Sequence, residues 1–265
     1  MNSPTIGLLG LGAASLFIVI DAALSVVLKL GVARSLIVAA CRTVIQLLLV
    51  GLILKTVFAS DSSFLIGAVL VTMFGTASYE ILSRQEHRFS GWWRYGLDAG
   101  TTLIATMLVS VFALRVLHAV PWYAPQVLIP LVGIVLGSVM NGVSISLNAF
   151  NNGLIRERGA IEAQLALGSS RHEALKPLQR SALRSGLIPI VNQMSAAGII
   201  TLPGMMTGQI LAGMAPFEAA KYQILILFLL AGATGLGALA TTSLAVRRAT
   251  DDRHRLRLDR IGMKR

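Results

Sequence analysis

Charged and amide side chains interrupt several apolar stretches of this sequence. Each of them costs free energy when it is buried among apolar residues. Asp21 and Arg42 lie in neighbouring apolar stretches, equally far from the middle of their connection, and Gln46 follows Arg42 by about one helical turn. A charge at the bilayer centre costs about 2.5–3.5 kcal/mol on insertion scales, so this spacing favours a buried ion pair. The alternative is a cation pathway in which Asp21 is a ligand and Arg42 tunes it. Glu80, near the end of the third apolar stretch, is a candidate for the entry of a cation.

A proline–glycine break in a later apolar stretch gives a second group of candidates. Pro203 removes a helix hydrogen bond, and Gly204 beside it deepens the bend. Two interpretations stay open: a kink that serves helix packing, or a gating hinge beside a weak transit site. The transit site would be lined by Met205, Met206 and Gln209, and the amides Asn192 and Gln193 lie earlier in the same stretch. Thioethers prefer soft ions such as Cu(I), so a tight iron site at these methionines is not expected.

The stretch IEAQLALGSSRHEALKP, residues 161–177, is polar and charged although apolar segments flank it. Gly168 follows Leu167 at a position where a helix can end in a left-handed residue. Ser170 and Glu173 form an S-x-x-E pattern, which predicts a capping box at the start of a second helix. The loop from residue 151 to 185 is therefore expected to contain two short helices. It is either an interfacial linker or a docking element for a cytosolic partner.

The elements that position these residues are predicted to be membrane-spanning helices. The chain has 265 residues, of which 55% are hydrophobic and 13% charged, and its mean hydropathy of +0.73 is typical of an integral membrane protein. A crossing needs about 20 apolar residues, and a helix satisfies its backbone groups where no water can. Seven spans are predicted, at residues 5–28, 36–56, 63–82, 96–116, 126–149, 186–212 and 222–246.

The distribution of basic residues predicts the orientation of these spans. With the N-terminus outside, nineteen lysines and arginines lie in inner segments and three in outer segments. This excess follows the positive-inside rule and predicts an N-out, C-in topology. The basic residues form collars at the membrane surface, which indicates contact with anionic lipid and argues against nucleic-acid binding. Residues 1–246 are expected to form one transmembrane domain, and residues 247–265 a basic cytosolic tail.

Several classes of site are excluded by what the sequence lacks. Cys41 is the single cysteine, which rules out a disulfide framework. No H-x-x-H or H-E-x-x-H pattern occurs, so a catalytic zinc site is not expected. The phosphate-binding pattern G-x-x-x-x-G-K-[ST] is also missing. If ATP drives this protein, a partner chain must bind the ATP.

The polar loop resembles the cytosolic loop of ABC-transporter permeases, which reads Glu-Ala-Ala, three residues and Gly. The corresponding stretch here is Glu162-Ala163-Gln164-Leu165-Ala166-Leu167-Gly168. It has glutamine in place of the second alanine, and the Leu-Pro end of that motif is missing. Together with the seven-span pattern and the stretch TLPGMMTGQILAGMAP at residues 201–216, these residues make the chain similar to the FetB-type family of ABC permeases. That family is related to plant aluminium-sensitivity membrane proteins.

The resemblance implies the membrane subunit of an exporter for a metal ion such as iron. It implies that Glu162, Ala163, Leu165 and Gly168 couple transport to a cytosolic ATPase subunit, which binds ATP while this chain binds no cofactor. It also implies a homodimer in the bacterial inner membrane, with no catalytic activity in this chain. The alternative is a stand-alone secondary transporter or ion channel that uses intramembrane carboxylates.

Overall fold

The protein is almost entirely helical in its computed structural model, which describes residues 7–60, 62–89, 93–117, 121, 123–251, 253 and 255–263. Its helices are α1 (Leu8–Val27), α2 (Ala33–Ala59), α3 (Ser63–Ser83), α4 (Trp93–Val116), α5 (Pro125–Arg156), α6 (Arg158–Ala166), α7 (Arg171–Ala196), α8 (Gly204–Leu211) and α9 (Pro216–Ala249). Two short strands, β1 (His87–Phe89) and β2 (Ile261–Met263), pair antiparallel. Six of the described helices are long and apolar enough to cross a membrane. The prediction of an all-α integral membrane protein is confirmed.

The chain divides into two compact units, residues 1–63 and residues 64–265. In the first unit, α1 and α2 pack together as a helical hairpin. Its turn places Lys29 and Gly31 at positive φ angles of 52° and 73°. The buried hydroxyl of Ser25 accepts a hydrogen bond from the backbone N–H of Val32 at 3.2 Å. These local contacts close the turn between Val27 and Ala33.

In the second unit, α5, α7 and α9 form a three-helix core, and α4 packs against α5 and α9. We call the first group of buried side chains in this unit the central cluster. Its buried members are Ile81, Ala105, Val109, Ala113, Leu114, Leu131, Val135, Val139, Val143, Ile190, Ile226, Leu229, Leu230 and Ala233. Small residues allow the helices to approach closely, because Gly142 of α5 lies against Gly186 of α7 and Thr234 of α9.

A second group of buried side chains, the loop-side cluster, lies at the other end of the same helices. Its buried members are Leu147, Phe150, Leu154, Ile161, Ala174, Leu175, Leu178, Ala182, Ala245, Val246 and Ala249. The segment after α9 folds back onto this cluster, because Leu256 and Leu258 pack against it. We call the part of the second unit that contains this cluster, α6 and the β1–β2 pair the loop-side end.

The observed helices agree with six of the seven predicted spans, apart from residues 5 and 6, which lie outside the described residues. The predicted sixth span, residues 186–212, is wrong as one continuous helix. α7 begins at Arg171, inside the predicted loop, and ends at Ala196, while α8 is a separate helix of 8 residues. The early start has a local cause, since the capping box at Ser170 begins the helix fifteen residues before the apolar run. The predicted tail also contains structure, because α9 runs to Ala249 and β2 follows.

Candidate coupling surface and transport cavity

The loop after α5 contains α6, which ends in the way that the sequence predicts. Gly168 has a φ angle of +93°, in the left-handed region. Its N–H donates to the carbonyl of Leu165 at 3.1 Å, and the N–H of Ser169 donates to the carbonyl of Gln164 at 3.1 Å. These two bonds are a Schellman motif, which satisfies the last carbonyls of a helix. The prediction that a helix ends at Gly168 is confirmed.

The start of α7 is fixed by the predicted capping box. The N–H of Glu173 donates to the Ser170 hydroxyl at 3.3 Å, and the N–H of Ser170 donates to the Glu173 carboxylate at 2.8 Å. The Ser170 hydroxyl also donates to this carboxylate at 2.7 Å. These hydrogen bonds from Ser170 stabilise the ionised carboxylate and lower the pKa of Glu173. Between the Schellman motif and this cap, the chain reverses through Leu167, Gly168 and Ser169.

The two sides of α6 have different surroundings. Ile161 is buried in the loop-side cluster, and Leu165 packs against the same cluster. Glu162 and Ala163 are exposed, and Glu162 accepts a hydrogen bond from Arg158, one turn earlier, at 2.9 Å. Of the four residues that the resemblance implies, Leu165 and Gly168 therefore position α6, while Glu162 and Ala163 face outward.

Leu167 is a surface residue of this loop that the sequence reasoning missed. Its side chain is 87% exposed, although leucine is apolar. It follows the last residue of α6, where the chain leaves the helix and no longer packs against the loop-side cluster. The signal in the sequence was an apolar residue directly before the helix-ending glycine. We call the exposed group of Arg158, Glu162, Ala163 and Leu167 the α6 surface.

A cavity of about 230 Å³ lies between α5, α7 and α9. Its polar lining comes from Ser138, Asn141, Gln193 and Thr234. The hydroxyls of Ser138 and Thr234 share a hydrogen bond of 2.8 Å across the α5–α9 contact. Asn141 and Thr234 stand close to the midpoints of α5 and α9, so the cavity lies about halfway along both helices.

The predicted entry residue Glu80 is linked to a residue of this cavity by side-chain hydrogen bonds. Arg84 donates to the Glu80 carboxylate from Nη2 at 3.3 Å and from Nε at 3.4 Å. Another nitrogen of the same guanidinium, Nη1, donates to the Asn141 side-chain oxygen at 3.4 Å. Glu80 is thus connected to the cavity through Arg84 and Asn141. The Glu80 carboxylate and the Arg84 guanidinium form an ion pair beside Asn141.

Three asparagines of α5 hold the segment that follows α3. The Asn148 side-chain oxygen accepts from the N–H of Glu86 at 3.2 Å, and Asn151 donates to the carbonyl of His87 at 2.9 Å. Asn152 donates to the Glu86 carboxylate at 2.9 Å, and its oxygen lies 2.8 Å from Nδ1 of His87. The sequence reasoning did not single out these residues. The repeated asparagines near the C-terminal end of the fifth span were the available signal.

The polar residues of the first unit lie on the surface of the helical hairpin. Asp21, Arg42 and Gln46 are exposed on the α1–α2 hairpin. The buried pair and the cation pathway both stay predictions. The helices end at Val27 and begin again at Ala33, which puts the two side chains about three residues, or about 4.5 Å, out of register.

The break in the predicted sixth span lies earlier than Pro203 and Gly204. α7 ends at Ala196, and Gly198 at a φ angle of +86° begins the turn. Pro203 caps α8, and Gly204 is the first residue of that helix. The chain therefore leaves helical geometry several residues before the predicted hinge.

The surroundings of the two methionines at this break differ from those of the expected transit site. Met205 packs against the central cluster, and Met206 is half-buried. Asn192 is exposed and Gln193 beside it lines the cavity. No group of three or more His, Cys, Asp or Glu side chains able to hold a metal ion is found within the described ranges.

Comparison with known proteins identifies the family of this chain. The model of the uncharacterised protein family UPF0014 matches residues 8–250. The UPF0014 membrane protein slr1647 of Synechocystis is 36% identical over 210 residues, which cover 78% of this chain and 79% of that protein. The "Probable iron export permease protein FetB" of Escherichia coli is 29% identical over 268 residues, which cover 100% of both chains. The protein ALUMINUM SENSITIVE 3 of Arabidopsis thaliana is 27% identical over 90% of this chain and 85% of that protein.

No solved structure matches the chain. The family match covers nearly all of both compact units, and the relatives extend over most of their own lengths as well. The long apolar helices agree with the description of several relatives as membrane proteins. The chain belongs to the UPF0014 family of membrane proteins.

Proposed function

We propose that this chain is the membrane subunit of an exporter for a metal ion such as iron, driven by a separate ATPase. The observation that carries the proposal is the course of α7. This helix begins at the turn after α6, packs through the loop-side cluster with Leu175 and Leu178, and lines the cavity with Pro189 and Gln193. A displacement of α6 therefore reaches the cavity through one continuous helix. The name of one relative, "Probable iron export permease protein FetB", supports a metal cargo.

The α6 surface has the composition of a docking site for a folded partner. It combines the ion pair of Arg158 and Glu162 with the small side chain of Ala163 and the exposed side chain of Leu167. An apolar side chain within a polar rim is typical of the centre of a protein–protein contact. The predicted topology puts this surface in the cytosol, where an ATPase is accessible.

The proposal assigns the chemistry of ATP to the partner. This chain then binds no cofactor, catalyses no reaction and supplies the pathway, in the bacterial inner membrane with its N-terminus outside. We further propose that two copies assemble with two ATPase subunits, as the resemblance of the α6 loop to that of ABC-transporter permeases implies.

Purification of the tagged chain in mild detergent from its native cells, followed by mass spectrometry, tests the proposal. We expect an ATP-binding subunit in stoichiometric amount. We expect its loss in Gly168→Leu, because a left-handed conformation costs an L-residue roughly 1–2 kcal/mol and the change disturbs the end of α6. We expect the same loss in Gly168→Ala, which also places an L-residue at the left-handed position. Gly159→Ala is its matched control: Gly159 lies inside α6 with open space around its Cα, and its variant should keep the partner.

The same preparation can contradict the proposal. A chain that purifies alone, and that moves Mn²⁺ into liposomes without ATP, would favour the stand-alone transporter. In that case Glu80, whose side chain is 19% exposed beside Arg84, becomes the carboxylate to test. If Gly168→Leu retains the ATPase, then α6 is not part of the contact with that subunit.

A further inference from the structure

A groove of about 450 Å³ lies between α4 and α9 in the second unit, separate from the cavity described above. Buried Ala105 lines it with a side chain that is small enough to leave space between the two helices. The walls are large apolar side chains that this chain leaves exposed: Ile104, Leu108, Leu236 and Leu244. Such a surface is compatible with the hydrocarbon chain of a lipid, which is as apolar as leucine.

One end of the groove is polar. Arg247 and Ser243 of α9, one helical turn apart, line it together with the buried Thr101 of α4. Arg247 is exposed and forms no ion pair with any residue that the structure describes. The Ser243 hydroxyl accepts a hydrogen bond from the Gln179 amide of α7 at 3.0 Å, which leaves its own hydrogen for another acceptor. A guanidinium beside a hydroxyl suits a phosphate group.

The length of the groove matches one leaflet of a membrane. No charged residue lies between Lys221 and Arg247, so Arg247 marks the end of the apolar part of α9. Leu236, at the other end of the groove, lies eleven residues earlier, or about 16 Å along the helix. The hydrocarbon core of a bilayer is about 30 Å thick, so this distance is about half of it. The predicted topology puts Arg247 at the cytosolic surface.

A second groove, of about 380 Å³, continues the first along the same two helices. It shares Leu108 and Leu236 with the first groove and leads away from Arg247. Its other lining residues are all apolar: Val109, Phe112, Leu225, Phe228, Leu229 and Gly232. Among the residues that line the two grooves, the one charge is therefore at the end of Arg247, and this charge determines the direction in which a lipid would lie.

We infer that the first groove binds one anionic phospholipid of the inner leaflet, with its phosphate at Arg247 and an acyl chain along Leu108 and Leu236. The phosphate provides an anionic partner for the guanidinium, and the acyl chain covers the apolar walls. A zwitterionic headgroup brings its own cation, which weakens the attraction to Arg247. The assignment to the inner leaflet rests on the predicted topology. The site does not depend on the proposed exporter.

Two kinds of variant test the two parts of the site. Arg247→Gln removes the charge, Arg247→Lys keeps it, and Arg253→Gln is the matched control, because Arg253 is exposed after α9 and does not line the groove. Ala240→Phe fills the groove, since Ala240 is an exposed residue of its lining. Its control is Ala212→Phe, at an exposed alanine after α8 that lies outside the groove.

The measurement is native mass spectrometry of the purified full chain in detergent, titrated with phosphatidylglycerol or phosphatidylcholine of the same acyl chains. We expect one phosphatidylglycerol per chain to bind with a Kd about fivefold lower than that of phosphatidylcholine, the factor that one arginine near an anionic membrane surface contributes. This preference should disappear in Arg247→Gln and persist in Arg247→Lys and Arg253→Gln. Ala240→Phe should weaken the binding of both lipids, and Ala212→Phe should change neither.

A phosphatidylglycerol with a photoactivatable diazirine in its acyl chain locates the site. After illumination, the labelled peptides should contain Leu108 of α4 and Leu236 of α9. Melting temperatures verify that each variant is folded, and the two variants of Arg247 are sufficient for the test if Ala240→Phe is not.

Four results would overturn the inference. They are equal Kd values of the two lipids for the wild-type chain, a preference for phosphatidylglycerol that survives in Arg247→Gln, label on peptides outside α4 and α9, and a folded Ala240→Phe variant with unchanged lipid binding. If that last variant also changes from dimer to monomer in the same spectra, then a second copy of the chain fills the groove instead of a lipid.

Discussion

At the scale of single residues, the hydroxyl side chains of α4 differ in whether they have a partner. The hydroxyl of Thr101 lies 2.6 Å from that of Thr241 on α9. Thr102, Thr106 and Ser110, spaced by four residues on one side of α4, are at most 1% exposed and have no partner among the described residues. A buried hydroxyl without a hydrogen bond costs about 1–3 kcal/mol.

Replacing Thr106 by valine should therefore leave the protein as stable as before or make it more stable. Valine has nearly the same shape as threonine and removes the hydroxyl that has no partner. We expect the melting temperature in detergent, measured by intrinsic fluorescence, to stay constant or to rise by up to about 4 °C. A fall in the melting temperature of about 4 °C would mean that the Thr106 hydroxyl forms a hydrogen bond that this structure does not contain.

Thr101→Val is the matched comparison, since it makes the same chemical change on the same helix. It breaks the hydrogen bond to Thr241 and leaves that hydroxyl buried. We expect a melting temperature lower by about 2–4 °C. Equal changes in melting temperature for Thr101→Val and Thr106→Val would contradict the difference in hydrogen bonding between these two hydroxyls.

At the scale of helices, the contact of α5 with α7 depends on two glycines. A Cβ at Gly186 would lie 2.6 Å from the carbonyl oxygen of Gly142, and a Cβ at Gly142 would lie 3.2 Å from the carbonyl oxygen of Gly186. Backbone atoms cannot move away as a flexible side chain can. The two helices therefore meet here backbone to backbone, and a larger residue has no space.

Gly186→Ala should destabilise the second unit, by about 1–3 kcal/mol as overpacking generally does. The corresponding fall in melting temperature is at least about 3 °C. Gly235→Ala on α9 is the control, because a Cβ there meets the Leu187 side chain at 3.9 Å, which is an ordinary contact. If Gly186→Ala is as stable as Gly235→Ala, then α5 and α7 are not in contact at Gly186.

The features that the sequence predicted correctly at this scale are local. The left-handed Gly168 and the capping box of Ser170 and Glu173 are both determined within about five residues of chain. The long spans followed for a similar reason, because each is a continuous run of apolar residues. Such features need no knowledge of the neighbouring helices.

The features that the sequence did not predict depend on contacts between distant segments. The register of Asp21 and Arg42 is set by the hairpin turn, whose position the apolar pattern fixes only to within a few residues. Gln193 lines the cavity and Asn192 beside it does not, because the rotation of α7 depends on its packing against α5 and α9. Gly142 meets Gly186 of α7 and Thr234 of α9, and both of these residues are more than 40 positions away in the sequence.

At the scale of the second unit, segments far apart in sequence assemble the loop-side end. α5 contributes the asparagines that hold Glu86 and His87, and β1 pairs with β2, more than 170 residues later. Arg260 donates to the carbonyls of Arg248 at 3.1 Å and Thr250 at 3.4 Å, which fixes the segment after α9. The predicted basic tail is therefore part of the same structure as α6.

Arg260→Ala should loosen this end without affecting the membrane helices. Loss of the two hydrogen bonds releases the segment that carries Leu256, Leu258 and β2. We expect hydrogen exchange at the backbone amides of β1 and α6 to become at least fivefold faster, which corresponds to about 1 kcal/mol. Arg253→Ala is the control, since that side chain is exposed. Unchanged exchange in Arg260→Ala would mean that β2 does not depend on this arginine.

The backbone contact of Gly142 with Gly186 has a mechanical consequence for α7. A helix that rocks about such a point acts as a lever, and Gly186 is its fulcrum. The arm from Arg171 to Gly186 is about 22 Å long and the arm from Gly186 to Gln193 about 10 Å, at 1.5 Å per residue. A push of about 2 Å at the Ser170 cap then swings Gln193 by about 1 Å in the opposite direction. If α7 moves as a rigid body, inward pressure on α6 would produce a smaller, reversed movement of the cavity wall.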